Sequence, residues 1–194
     1  MAVDLPVVHR ELLLGGQRSG KSRRAEALAQ AWLSRSPVHH ALLVATASAG
    51  DAEMARRIQR HQQDRRLRVP RMRTVEEPLD LAGALRAHSR ADTLLVVDCL
   101  TLWLTNLRMP ADGAPAPEEA ATAQAIAALL AALDDLPGPV VLVGNEIGLG
   151  VIPLGAETRA FVDALGWLNQ QVAGRCTRVS LMVAGLPMVV KDGA

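Results

Sequence analysis

Short, almost unbroken apolar runs recur along the chain, separated by longer stretches in which apolar residues return at helical spacing. The runs at 10–14, 41–46, 93–98 and 140–144 read as strands covered on both faces. Between them, 21–35 places Ala25, Leu28, Ala29, Trp32 and Leu33 on one helical face, with Trp32 as a core residue. The stretch 51–66 is polar but helix-permissive, with Asp51 and Glu53 suited to its first turn. A short strand at 71–75 precedes a helix begun by Glu76-Glu77-Pro78 and ended near His88, which suits a helix C-terminus. Residues 99–108 predict a short helix with Leu100, Leu104 and Leu107 facing inward, and 118–135 and 157–174 predict two more. The last runs, 178–183 and 188–190, pair as a hairpin across Ala184-Gly185-Leu186-Pro187. Residues 1–9 read as a loose lead-in, and 109–117, with three Pro and three Ala, as a flexible connector. This alternation predicts one doubly wound α/β domain over 1–194: a mostly parallel central sheet, helices on both faces, and a C-terminal antiparallel hairpin.

Composition narrows the function classes. The chain has 194 residues, a formal net charge of +1 and 49% hydrophobic residues, and no continuous apolar run long enough to cross a bilayer. No signal-peptide pattern opens it, so the expected location is cytoplasmic. Cys99 and Cys176 lack disulfide or zinc spacing and are expected to be buried thiols. His39 and His40, after a helix-breaking Ser36-Pro37, are expected to be solvated loop residues. One Phe and no Tyr leave little to stack unpaired bases, which argues against a nucleic-acid partner. Lys21 and Lys191 are the only two lysines.

Lys21 stands in the most informative stretch. The first strand, ending at Leu14, runs into Gly15-Gly16-Gln17-Arg18-Ser19-Gly20-Lys21-Ser22, and a helix-forming run follows at once. That is a Gly-x4-Gly-Lys-Ser phosphate loop in the strand–loop–helix context it requires, so the fold is expected to be of the P-loop NTPase type. Its backbone N–H groups can curl round phosphate oxygens, Lys21 can reach the β- and γ-phosphates, and the Ser22 hydroxyl can ligate Mg2+. The apolar run at 93–98 ends in Asp98, the Walker-B arrangement for holding the same Mg2+ directly or through water. Ala45, Thr46 and Ala47, just past the second strand, are further candidate nucleotide contacts, and the Gly-punctuated loop 145–153 lies where open α/β sheets bind ligands.

Residues 56–73 hold eight arginines against one acid, Asp64. The run reads equally as a solvated basic face or as an anion clamp. On a helix Arg57, His61 and Arg65 share one side. A nucleophilic histidine needs an unprotonated ring nitrogen, which cationic neighbours favour, and the same arginines could neutralise an α-phosphate under in-line attack. No Asn-Lys-x-Asp is present, so any guanine preference must come from contacts other than those of GTPase switches. Three other readings stay open from residue chemistry alone. They are a single-activity P-loop small-molecule kinase with a dispensable His61, a nucleotide-dependent regulatory ATPase or partner-binding module, and nucleic-acid binding through the arginines.

The phosphate loop, together with Ala45-Thr46, Glu53-Met54-Ala55-x-Arg57-Ile58-x2-His61, Asp98-Cys99-Leu100-Thr101-x3-Thr105-Asn106, Asn145-Glu146-x-Gly148-x-Gly150 and Arg159-x-Phe161-x-Asp163-x2-Gly166-x2-Asn169-Gln170, resembles the bifunctional adenosylcobinamide kinase / adenosylcobinamide-phosphate guanylyltransferase family. The resemblance implies phosphorylation of adenosylcobinamide by a nucleoside triphosphate, with ATP and GTP as substrates and Mg2+ as cofactor. Transfer of GMP from GTP to adenosylcobinamide phosphate would follow, through a guanylylated histidine. His61 matches that histidine, Gln62, Gln63, Asp64 and Arg65 follow it in the nucleotide site, and Glu76 matches a carboxylate near guanine or ribose. The resemblance also implies a homotrimer. Gln17, Arg60 and Trp167 depart from the family pattern: Trp167 replaces a basic residue, and Arg60 stands where some members carry a second histidine.

Overall fold

The computed structural model describes residues 5–48, 52–109 and 119–193; on the helix that begins at Ala52 it describes the side chains of 56, 59, 60 and 62–68. The expected connector therefore lies outside the described residues except for Met109, as do Asp51 and the side chains of Glu53, Arg57 and His61.

The elements follow in the order β1 (Arg10–Leu14), α1 (Lys21–Arg35), β2 (His40–Ala45), α2 (Ala52–Arg68), β3 (Met72–Glu76), α3 (Leu81–His88), β4 (Thr93–Asp98), α4 (Leu100–Arg108), α5 (Glu119–Asp135), β5 (Val140–Val143), α6 (Ala156–Arg175), β6 (Arg178–Val183) and β7 (Leu186–Asp192). They build one seven-stranded sheet in the order β3-β2-β4-β5-β1-β6-β7, parallel except for the β6–β7 hairpin. The apolar runs are continuous because both sheet faces are covered. One face packs Leu12, Leu95, Leu142 and their neighbours against α3, α4, α5 and α6. The other packs Leu13, Val96 and Val143 against Ala25, Leu28, Ala29 and Leu33 of α1.

That division locates the ligand crevice. Neighbouring strands β1 and β5 send their following helices to opposite faces, α1 to one and α6 to the other. Their carboxyl ends thus flank a topological switch point, where open α/β sheets bind ligands.

Four local expectations change. The third helix starts at Leu81, not at Glu76: Glu76 closes β3 opposite Ala45, the Glu77 carboxylate accepts from the N–H groups of Leu79 and Asp80, and Asp80 caps the helix by accepting from Gly83 N at 2.9 Å. The hairpin turn is only Ala184-Gly185, since Leu186 and Pro187 already pair with Val183 and Met182. Of the histidines expected in solvent, His39 is half-buried, its ring stacked on Trp32 at 3.9 Å between centroids and 6° between planes. The lead-in is also tied down, with Leu5 and Val7 packed beside the α1 core.

Candidate nucleotide site

Residues 15–20 leave β1 in a conformation that only particular residues tolerate. Gly15 has φ 146°, and a Cβ there would come within 2.6 Å of Met182 O. Gly20 has φ 102° and faces Gly185 of the β6–β7 turn, whose Cα would lie 3.1 Å from an added Cβ. Both positions therefore require glycine, and the loop is seated on the hairpin turn by Gly185 N donating to Ser19 O at 3.0 Å. Lys21, in the first turn of α1, is buried, and its Nζ donates to Gly15 O at 2.8 Å and Gly16 O at 2.7 Å. Burial lowers this ammonium below the ordinary lysine value, with Cys99 and Asp98 opposing. The lysine is thus held against the loop whose backbone can embrace phosphate.

Register assembles the rest. Glu76, Ala45, Asp98, Val143 and Leu13 form one row across β3, β2, β4, β5 and β1 at the carboxyl ends of the strands. Three residues expected at the site from separate stretches, Glu76, Ala45 and Asp98, therefore share one rim. Thr46, next after the row, is fully buried: its N–H donates to Asp98 O, while its Oγ1 accepts from Cys99 N at 2.8 Å and donates to Cys99 O at 2.7 Å. Its hydroxyl is spent bracing the β4–α4 junction, where the Asp98–Cys99 peptide is cis. Burial, with the Asp98 charge adding, pushes the Cys99 thiol up to about 11, so both cysteines being buried fits the expectation and Cys99 is no nucleophile at neutral pH.

The bracing continues outward. Asn106 Nδ2 donates to Thr46 O at 2.7 Å, Asn145 N donates to Thr101 Oγ1 at 2.8 Å, and Asn169 Nδ2 donates to Asn145 O at 3.1 Å. Glu146 N donates to Gly15 O at 3.1 Å, tying the loop after β5 to the phosphate loop. That loop is unusually apolar for an exposed segment: Leu149, Val151, Ile152 and Leu154 all project into solvent.

Helix α2 supplies the opposite wall. Arg65 is buried, and burial lowers its guanidinium below the ordinary arginine value, while Asp98 first and Glu26 second pull it back. A cation on α2 thus answers the carboxylate at the end of β4, the same carboxylate that acts on Lys21. Gln62, Arg65, Arg66, Met72, Thr74 and Glu76 line a cavity of about 450 Å³, in which Gln62 Nε2 donates to Glu76 Oε1 at 3.3 Å. Asp64 is half-buried and paired with Arg68, Gln63 is exposed, and His61 lies on the α2 backbone one turn before Arg65. Ala47 is half-buried beyond β2, and Gln17 and Arg18 are exposed on the phosphate loop. Ser22 in α1 and Asp98 offer the hard oxygen donors that Mg2+ prefers.

The model for the family described as cobinamide kinase / cobinamide phosphate guanyltransferase matches residues 11–190, from β1 through β7. The chain belongs to that family. It is 51% identical over 183 residues to the bifunctional adenosylcobalamin biosynthesis protein CobP of Pseudomonas aeruginosa, covering 94% of this chain and 97% of the relative. It is 37% identical to the corresponding CobU protein of Escherichia coli, covering 93% and 98%. Among solved structures, the flagellar accessory protein FlaH of Methanocaldococcus jannaschii superposes with a TM-score of 0.52 at 11% identity, over 97% of this chain and 80% of that one. A Pyrococcus horikoshii protein does so at 0.56 and 6% identity, over 97% and 89%. These two similarities speak for the fold alone.

Sequence reasoning passed over two site features, Glu26 and Gly185. Glu26 had a legible signal: it recurs with Ala29 and Leu33 at helical spacing on the inward face of α1, an acid where an apolar residue belongs. The approach of Gly185 to Gly20 joins residues 165 positions apart and left no local mark.

Proposed function

We propose that this chain is the bifunctional enzyme its family describes, an adenosylcobinamide kinase and adenosylcobinamide-phosphate guanylyltransferase, and that both transfers use one phosphate site. The observation that carries the second part is the place of Asp98, which ends β4 in one row between the end of β1, where the phosphate loop begins, and Glu76 of the cavity that Arg65 also lines.

In the first transfer the substrate's aminopropanol hydroxyl attacks the γ-phosphorus of ATP or GTP, and the bond to the β-phosphate oxygen breaks. The loop backbone of residues 15–20 and Lys21 hold the triphosphate. Ser22 and Asp98 are the residues to hold Mg2+, which when bound offsets phosphate charge. In the second, an unprotonated His61 nitrogen attacks the α-phosphorus of GTP, the bond to the bridging oxygen breaks, and pyrophosphate leaves. A phosphate oxygen of adenosylcobinamide phosphate then attacks the same phosphorus, the P–N bond breaks, and adenosylcobinamide-GDP forms with His61 restored. Arg65 neutralises charge developing on the α-phosphate.

The cavity between α2 and β3 suits the guanosine end: Gln62, Arg65 and Glu76 present donors and an acceptor where the base and ribose must be read. Gln63 and Asp64 complete the stretch of α2 beside it, and Ala45, followed by Thr46 and Ala47, ends β2 between Glu76 and Asp98 in the row that leads toward the phosphate loop. The corrinoid lies over the exposed apolar loop 145–153, next to Gly15, so that its side-chain hydroxyl reaches the γ-phosphate. A homotrimer is supported by β7, the last strand of the sheet among the described residues, on which Leu186, Met188, Val189 and Val190 are all exposed.

Incubation with Mg2+ and α-labelled GTP, followed by denaturation, tests the covalent step. Retained label that is acid-labile and alkali-stable, absent with γ-labelled GTP and absent from His61→Ala, is the expected result. A protein that binds GTP yet retains no label is a simple kinase, and the covalent route fails.

A further inference from the structure

Helix α2 carries the proposed nucleophile, and among its described side chains the fastening to the body of the fold is ionic. Of its described side chains Arg65 alone is buried, and the one large apolar residue, Leu67, is 84% exposed. From these side chains, one ion pair reaches across to α1. Arg68 Nη1 donates to Glu26 Oε2 at 2.7 Å, and Arg68 Nη2 lies 3.3 Å from Asp64 Oδ2, so one guanidinium forks between an acid of α1 and an acid of its own helix. Glu26 is 6% exposed, on the face of α1 that packs under the sheet, five residues after Lys21. The charges of Asp98 and, less strongly, Glu26 both act on Arg65.

We infer that Glu26 is a positioning residue for guanylyl transfer: a buried carboxylate on the phosphate-loop helix that latches α2 through Arg68, and so sets the distance between His61 and the phosphates. The inference rests on the reading of His61 given above. A carboxylate this buried is retained only when paired. Its pairing partner sits seven residues along α2 from His61, two helical turns away on the same side of the helix. A rigid helix transmits displacement at Arg68 to His61, and a misplacement of about 1 Å at an attacking atom can cost about a hundredfold in rate.

The latch separates from a general packing role because it is reciprocal in sign. Glu26→Gln keeps the shape and loses the charge. The expected outcome is guanylylation of His61 slowed by about tenfold or more, with affinity for ADP at the phosphate loop within about threefold of the native protein. Glu26→Arg alone and Arg68→Glu alone should both be slow, and the exchange Glu26→Arg with Arg68→Glu should recover most of the rate. Limited trypsin digestion reads the docking without any chemistry, because α2 is rich in arginine: cleavage between residues 56 and 68 should be about tenfold faster in Glu26→Gln and slow again in the exchange variant. Native-rate labelling and native cleavage in Glu26→Gln overturn the latch. So does a loss of ADP affinity in proportion to the loss of labelling, which marks plain damage to α1. If the native protein takes no label, the His61 reading has failed, and the cleavage comparison still decides whether Glu26 holds α2.

Discussion

Lys21 shows how one buried charge ties folding to ligand binding with opposite signs. Its ammonium is lowered below the ordinary lysine value by burial, so the folded apo protein gives up that proton at a pH where the unfolded chain still holds it. The unfolded state then binds more protons, and the Lys21 contribution to stability rises with pH between the folded and unfolded values: the cost of burying the charge is full below that window and relieved above it. Phosphate binding needs the charge and moves the other way. Nucleotide affinity of the native protein is expected to weaken as pH climbs toward the ordinary lysine value, while the apo melting temperature gains from the same group. Titration calorimetry and thermal melts across that range, with Lys21→Met as reference, check both; the Met variant should lose about a hundredfold or more in kinase rate and show neither trend. The same physics acts on Glu11, an acid buried on β1 with Ser180 Oγ donating to it at 3.1 Å. Burial raises its carboxyl above the ordinary value despite that bond, which makes the ionised form a cost to the fold rather than a support.

At the scale of elements, the ends of helices are where side chains decide the boundary. Asp80 accepts from Gly83 N and Glu77 from two N–H groups of the preceding turn, so α3 begins at Leu81. Replacement Asp80→Ala should cost about 1 kcal/mol in denaturant unfolding, since the first-turn donor loses its partner. That boundary was misread from sequence because Glu76-Glu77-Pro78 also has the composition of a helix start, and the ladder that claims Glu76 for β3 comes from Ala45 of β2, 31 residues upstream. The continuous apolar strands and the 3.6-residue faces of α1, α5 and α6 were legible because each is written within one short window. The phosphate loop and Asp98 were legible for the same reason, as motifs whose spacing is itself the chemistry. What could not be read are pairings between windows: Thr46 spending its hydroxyl on Cys99, Trp32 stacking on His39, Glu26 meeting Arg68, and Gly20 touching Gly185. The polar helix α2 is an intermediate case. Its arginines read equally well as a solvated face or an anion clamp, and the fold divides them, with Arg65 buried beside Asp98 and Arg66 left exposed on the cavity rim.

Across the whole molecule, the sheet ends unevenly. Its β3 edge carries Arg73 and Glu76, with α2 and the cavity beside it, whereas the β7 edge presents Leu186, Pro187, Met188, Val189 and Val190 with no strand beyond it among the described residues. A long apolar edge with open backbone donors and acceptors is a pairing template that stable folds protect. A second copy of the chain is the protection consistent with the proposed trimer. The same hairpin seats the phosphate loop through Gly185, so an interface on β7 would bear directly on the geometry of residues 15–20. A charge placed on that strand should separate the two functions of the hairpin. Val189→Lys leaves the turn and the glycine contact in place but puts an ammonium in the apolar strip, and sedimentation should then report a single 20.7 kDa chain where the proposed trimer would sediment as three. If the interface also supports the loop, kinase and guanylyltransferase rates of the variant fall together and return at high protein concentration by mass action. A native protein that sediments as one chain with full activity removes the trimer from the reading, and leaves β7 as an edge guarded only by Lys191 and Asp192 at its end.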